Sequence, residues 1–301
     1  MTGAATVARG LNVTALGLAA AALWGVADFL GGLASRRASV FLVVAIAHGL
    51  SLTALVLVAA ILHVPWPSRH LAFWGLLTGI SGGLALIAFY RALAVGEMGL
   101  AAALSGVLTA VVPVIFSFFA EGRPKPTQML GFALAAAAIW CIAYQPGGLS
   151  HRRGLWLAAM AGLGFGAFLI ASKFASHGAV LWPLAISRMA SASLAIGLLV
   201  AMRTRRERYR AALLNRPTDS GSGALAVVLL LAGSCGVLEA VGNLLYMLAT
   251  RMGRLDVPAV LSSLYPAATI LLAVWLLKER ARQAQVWGMV LALAAVVVIS
   301  L

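Results

Sequence analysis

Four side chains that carry charge, or can acquire it, stand inside long apolar stretches: Asp28, His48, Arg188 and Glu239. His48, Arg188 and Glu239 fall near the centres of their stretches, and Asp28 lies about one helical turn beyond the centre of its own. Such groups are expensive in hydrocarbon, so each marks a solute path, a proton path or an internal ion pair. Arginine keeps its charge and needs a carboxylate or an anionic solute group. Histidine titrates near neutrality. Desolvation can move a buried carboxylate into a useful titration range. The set offers solute binding with proton or cation coupling. No nucleophile elbow, phosphate-binding glycine loop or metal-ligand spacing accompanies it, so no enzyme activity, cofactor or metal is expected.

Each candidate has a functional and a structural reading. Trp24 precedes Asp28 by four residues, so the two share a helix face. Asp28 is either a proton- or cation-binding carboxylate beside an aromatic wall, or an acid paired with a neighbouring arginine to hold helices together. Glu239, Asn243 and Tyr246 recur at helical spacing, a polar stripe that belongs on an interior face. It is either a cavity wall or a set of interhelical hydrogen bonds. Arg188 contacts a solute or pairs with Glu239 or Asp28. His48 titrates or is a satisfied core histidine. Ser105, Thr109 and Pro113 in one run, and Ser262, Tyr265, Pro266 and Thr269 in another, place prolines where helices can kink. Those segments serve as matching gates or as small-residue packing. Lys173 and Arg91 lie near run ends, where long side chains reach headgroups. Asp256, before Pro258, reads as a helix N-cap.

The elements that must position these residues are membrane-spanning helices. The chain is 62% hydrophobic and 10% charged, with a mean hydropathy of +1.01. A soluble domain has about 25% charged residues, so much of this surface must face lipid. About ten apolar runs follow one another, at 13–35, 39–63, 71–93, 98–120, 126–145, 154–176, 180–201, 224–248, 257–277 and 284–301. Lengths near 20 residues without alternation read as spanning helices. The fold class is all-α integral membrane. The first run is longer than a signal-peptide core and contains Asp28, so it reads as a retained helix. The longest hydrophilic stretch, 203–223, reads as a loop with a short interfacial helix at its start. The +14 net charge sits mainly in short loops, which points to membrane topology and away from nucleic acid. Cys141 and Cys235 both lie in apolar runs and suggest no disulfide framework.

Residues 105–140 resemble 263–297: an apolar helix, a glutamate (Glu121, Glu279), a basic turn, a Gln, then Gly131 or Gly288 in the next helix. Trp24-Gly25 matches Phe165-Gly166, Ala92 and Gly96 match Ala249 and Gly253, and His48-x-x-Ser51 matches Arg188-x-x-Ser191. Two units follow, residues 1–148 and 149–301, each of about five helices. An odd number inverts the second copy and places a solute site near the midplane where the halves meet.

Ala22-Leu23-Trp24-Gly25, Tyr90-Arg91-Ala92-Leu93 and the paired helix–Glu–turn–Gly units together resemble the drug/metabolite transporter superfamily, specifically its EamA-type ten-helix members. The resemblance covers nearly the whole chain. It implies export of an amino acid, metabolite or drug-like solute by alternating access. The expected function is thus secondary transport of a small molecule, with substrate or coupling contacts at Trp24, Asp28, His48, Arg188, Glu239, Asn243, Tyr246 and Tyr265. A membrane scaffold or accessory subunit, and an integral-membrane enzyme on a lipid-linked substrate, are the alternatives. Gly75 and Gly79, and Gly162 and Gly166, permit close helix approach, within the chain or in a homodimer. The expected location is a bacterial cell membrane, multi-pass. Loops following the odd-numbered runs carry about twice the Lys and Arg of the other side, which places both termini outside. The resemblance implies termini inside, and the charge bias is followed here.

Overall fold

The computed structural model describes residues 3–35, 37–95, 98–143, 152–178, 180–204, 222–276 and 283–300. Its regular structure is all helical among these residues. In lipid a backbone must satisfy its own polar groups, and a helix does so within one segment. The helices are α1 (Gly3–Ser35), α2 (Val40–Ile61), α3 (Arg69–Val95), α4 (Met98–Ala120), α5 (Pro126–Ala143), α6 (Arg152–Ala175), α7 (Leu181–Thr204), α8 (Ser222–Met252), α9 (Asp256–Ser262), α10 (Tyr265–Leu276) and α11 (Gln283–Ser300). By length and composition, 6 of them can cross a membrane: the segments Asn12–Ser35, Val40–Ile61, Arg69–Ala92, Trp156–Ala175, Leu181–Met202 and Leu225–Met252. The apolar segments of α4, α5 and α11 are shorter, at Leu104–Ala120, Pro126–Cys141 and Val286–Ile299. Large apolar side chains such as Leu57, Phe119, Trp275 and Leu293 face outward. An outer surface this apolar suits contact with lipid.

The ninth apolar run is two helices. α9 and α10 are separated by Ser263 and Leu264, where the Leu264 and Ala267 amides donate to the Leu261 and Leu264 carbonyls three residues back. Pro266 has no N–H to give to the carbonyl four residues earlier. The Ser262 and Ser263 hydroxyls both donate to the Ala259 carbonyl at the same turn. α4, by contrast, runs continuously through Pro113. Parts of the sequence comparison fall outside the described residues: Gly96, the turn around Gly147, Glu279, and residues 205–221 of the long hydrophilic stretch.

α3 lies along α6 and α1 along α8, α2 faces α7, and α5 faces α11. α4 packs on α6, while α9 and α10 pack on α1. Both spaced glycine pairs work inside the chain. Gly75 and Gly79 meet the backbone of α7 at Pro183 and Ser187, and Gly162 and Gly166 meet α4 at Ser105 and Val112. A homodimer therefore needs another face.

Candidate functional site

The site begins where α8 touches α2. A Cβ on Gly236 would lie 2.0 Å from the Ala47 carbonyl oxygen, so only glycine allows this approach. Three residues on, the same face of α8 presents Glu239 to His48. The Glu239 carboxylate is 3.0 Å from His48 Nε2 through Oε2, and it accepts from Arg188 Nη1 at 3.0 Å through Oε1. Arg188 Nη1 also lies 2.8 Å from His48 Nε2, and His48 Nδ1 lies 2.7 Å from Ser191 Oγ. Ser191 follows Arg188 by one turn of α7, so α7 supplies both ends of the cluster. His48 and Arg188 are each 2% exposed. Of the two partners open to Arg188 on the sequence, the fold selects Glu239.

The neutral His48 ring cannot serve both Nε2 neighbours. With a proton there it donates to Glu239 and accepts from Ser191 at Nδ1. Without one it accepts from Arg188 and donates to Ser191. The proton position on this ring is thereby tied to the state of Glu239. Arg188 Nε and Nη2 have no hydrogen-bond partner among the described residues.

Beside the cluster lies a cavity of about 60 Å³, lined by Trp24, Asp28, Gly82, Leu86, Thr109, Phe165, Phe168, Leu169, Glu239, Asn243 and Tyr265. About 10–15 Å³ of such space holds one water, so this volume suits a few waters or the head of a small solute. Trp24 Nε1 donates to Asn243 Oδ1 at 2.8 Å across α1 and α8. Indole N–H is only a donor, which fixes the amide with its Nδ2 turned away from Trp24. Among the described residues Nδ2 has no hydrogen-bond partner, and neither has Tyr265 Oη; both residues are nearly fully buried. Asp28 has no ion pair or hydrogen bond among the described residues.

The sequence-derived candidates thus divide. Trp24, Asp28, Glu239, Asn243 and Tyr265 line the cavity, while His48 and Arg188 stand behind Glu239. Tyr246 is outside the lining. It is fully buried, donates to the Leu169 carbonyl at 3.2 Å, and its ring is 5.7 Å from that of Trp24. The stripe of Glu239, Asn243 and Tyr246 faces inward, but its third member supports the aromatic wall from behind. Phe165, Phe168, Leu86 and Gly82 were not among the candidates. As apolar residues in apolar helices they carry no signal by type; the sequence register that pairs Phe165 with Trp24, Gly82 with Glu239 and Leu86 with Asn243 could have pointed to three of them.

A second polar cluster ties the ends of α4, α6 and α8. Glu121 pairs with Lys173 and receives the Ser117 hydroxyl and, at 2.9 Å, the Leu255 amide. Arg254 forks onto Asp256 and donates to the Glu121 and Gly122 carbonyls. Lys173 therefore does not reach outward as expected; a carboxylate from α4's end holds it. Asp256 lies in the first turn of α9 and not at its N-cap, which is Leu255. The Asp256 carboxylate takes the Val257 amide, and Glu121 takes that of Leu255. Arg91 does reach the surface, with its guanidinium 5.0 Å from the centre of the Phe41 ring.

Residues 152–301 match the family model described as the EamA-like transporter family. A solved protein crystal structure aligns with a TM-score of 0.72 at 20% identity, covering 96% of this chain and 98% of that one. That likeness is one of fold. No curated protein matches the chain.

Proposed function

The chain belongs to the EamA-like transporter family, within the drug/metabolite transporter superfamily, and from that premise we propose that it is a secondary transporter working by alternating access around the Trp24–Asp28–Glu239 cavity. It is a multi-pass membrane protein and a membrane transporter by family.

The observation that carries it is the pairing of the cavity wall. In the register set by Trp24 with Phe165, Asp28 corresponds to Leu169. In the register set by Ala92 with Ala249, Gly82 corresponds to Glu239 and Leu86 to Asn243. Every one of these pairs lines the cavity. The helix contacts support the same relation, since α1 packs on α8 as α6 packs on α3, and α2 meets its counterpart α7. Two inverted five-helix halves, residues 1–148 and 149–301, would generate such a wall at the midplane. Rocking the halves would expose it to each side in turn. The polar member of each unlike pair is needed only once: Asp28 from the first half, Glu239 and Asn243 from the second.

Asp28 is the coupling group in this reading. A carboxylate in an apolar wall without a cation carries a proton or awaits a cation. Glu239 is already engaged by Arg188 and His48. Transport of a metabolite panel into proteoliposomes, with and without a pH gradient, tests the scheme. Asp28→Asn is expected to abolish gradient-driven accumulation and to spare solute exchange. An unchanged pH response in that variant would count against coupling at Asp28. The direction is export, from a bacterial cell membrane, with both termini outside. A C-terminal reporter active only in the cytoplasm should stay dark, and a bright signal reverses the orientation. A purely structural scaffold predicts a fully paired polar interior without a cavity. The open cavity and the unpartnered Asn243 and Tyr265 atoms favour transport over it.

A further inference from the structure

We infer that the cavity takes an organic cation: a small amine with a charged head, one neutral hydrogen-bond acceptor and a ring-bearing apolar body. The inference rests on the transporter reading above and names the class of its solute.

Charge is the first argument. Asp28 and Glu239 are the carboxylates of the lining, and among the described residues no Lys, Arg or His lines the cavity. Glu239 is neutralised from behind by Arg188 at 3.0 Å. Asp28 has no such partner among the described residues. An anionic solute would therefore face two carboxylates, one of them uncompensated, in a wall with little water to screen them. A cation at Asp28 completes the ion pair that the protein leaves open.

The wall supplies the second argument. Trp24, Phe165, Phe168 and Tyr265 give the lining four aromatic rings. The Trp24 ring is held by the Asn243 hydrogen bond, by edge contact with Phe168 at 6.2 Å and by Tyr246 at 5.7 Å. Aromatic faces attract cations, and they give a ring-bearing body a fitting apolar surface. Because Trp24 and Asp28 are one turn apart on α1, the ring and the carboxylate meet the same ligand head.

Hydrogen bonding completes the description. Among the described residues, Asn243 Nδ2 is a buried donor with no hydrogen-bond partner, and Tyr265 Oη is buried and has none either. Both residues line the cavity. An oxygen acceptor on the solute, such as a hydroxyl or carbonyl, would satisfy the Asn243 amide and remove the cost of an orphaned donor. A solute carboxylate could also accept there. It would do so beside two acids and without a lining cation, so a neutral acceptor is favoured.

The test uses three probes that share a phenol ring and differ in charge: tyramine, tyrosine and hydroxyphenylpropionate. Equilibrium binding of radiolabelled tyramine to the purified full chain in detergent is measured in competition with the other two. Tyramine should bind at least about tenfold more tightly than the zwitterion or the anion. Asp28→Asn should weaken it by about tenfold or more, while Asp28→Glu stays within about threefold, which separates lost charge from lost folding. Trp24→Leu should weaken it by up to about tenfold. Absence of tyramine binding, preference for the zwitterion or anion, or an unaffected Asp28→Asn each overturns the assignment. Exchange of the same probes in proteoliposomes is scored separately. Tyramine binding without any exchange sinks the transporter reading and keeps the ligand class. Exchange of tyrosine or of the anion without tyramine does the opposite.

Discussion

Arg188 Nη1 lies 2.8 Å from His48 Nε2, although the two residues are 140 residues apart in the chain. Glu239 closes the triangle, 3.0 Å from each. A buried arginine and carboxylate stabilise one another only as a pair. Removing one partner strands the other's charge, which typically costs about 3–5 kcal/mol. Arg188→Met alone should therefore lower the thermal stability of the purified protein strongly. Adding Glu239→Gln to it should recover a substantial part of the loss. A double-mutant cycle measures this, and strictly additive effects would contradict the pairing.

The Trp24–Asn243 hydrogen bond makes a similar prediction with neutral groups. Trp24→Phe keeps an aromatic ring but leaves Asn243 Oδ1 buried without its 2.8 Å donor. The expected destabilisation is about 1–3 kcal/mol, the usual cost of a stranded buried acceptor. Trp24→Phe combined with Asn243→Leu should be less harmful than the sum of the two changes. Thermal unfolding in detergent reads both.

Glycines separate into those held between backbones and those facing open space. A Cβ on Gly79 would lie 2.2 Å from the Ser187 carbonyl oxygen, and one on Gly236 only 2.0 Å from that of Ala47. No flexible side chain can move aside there. Gly79→Ala and Gly236→Ala should each force α3 off α7 or α8 off α2, with losses of about 1–3 kcal/mol or more. Gly49 and Gly197 have nothing within 4 Å of an added Cβ. Alanine at those helical positions should be neutral or stabilising by roughly 0.5–1 kcal/mol. Equal effects at the two sets would refute the proposed helix contacts.

Glu121 holds three chain segments at one end of the bundle. Its carboxylate meets Ser117, Lys173 and the Leu255 amide. Glu121→Gln should loosen this end. Leu255 is fully buried, so Leu255→Cys in a background of Cys141→Ser and Cys235→Ser should resist thiol reagents. Adding Glu121→Gln should speed labelling by tenfold or more, a loss of about 1.4 kcal/mol in the closed form. Unchanged labelling would mean that Arg254 and Asp256 suffice to hold the contact.

Much of the architecture was legible in the order of residues. An apolar excess forces lipid contact, and lipid forces helices, so the runs mapped onto α1 to α11 within a few residues at most ends. Charged residues in those runs had to face inward, which marked Asp28, His48, Arg188 and Glu239 before any contact was known. The break after Ser262 was harder to see. Pro113 and Pro266 look alike in sequence, yet one helix continues and the other divides. The local difference is the Ser262–Ser263 pair that turns its hydroxyls onto Ala259.

The partners of those charges were decided only by tertiary structure. Sequence spacing offered Arg188 either Glu239 or Asp28, and nothing in one helix chooses between carboxylates on two others. Gly236 makes the choice physical by letting α8 approach α2 closely enough for Glu239 to reach both His48 and Arg188. Asp28 is left to the cavity as a consequence. Tyr246 shows the converse: helical spacing placed it on the right face, but packing set it behind Trp24. The sequence by itself determined a membrane protein of helices with charges inside. Which charge is spent on the fold and which remains open to a solute depends on side-chain contacts between helices distant in the chain, and only the packed bundle specifies them.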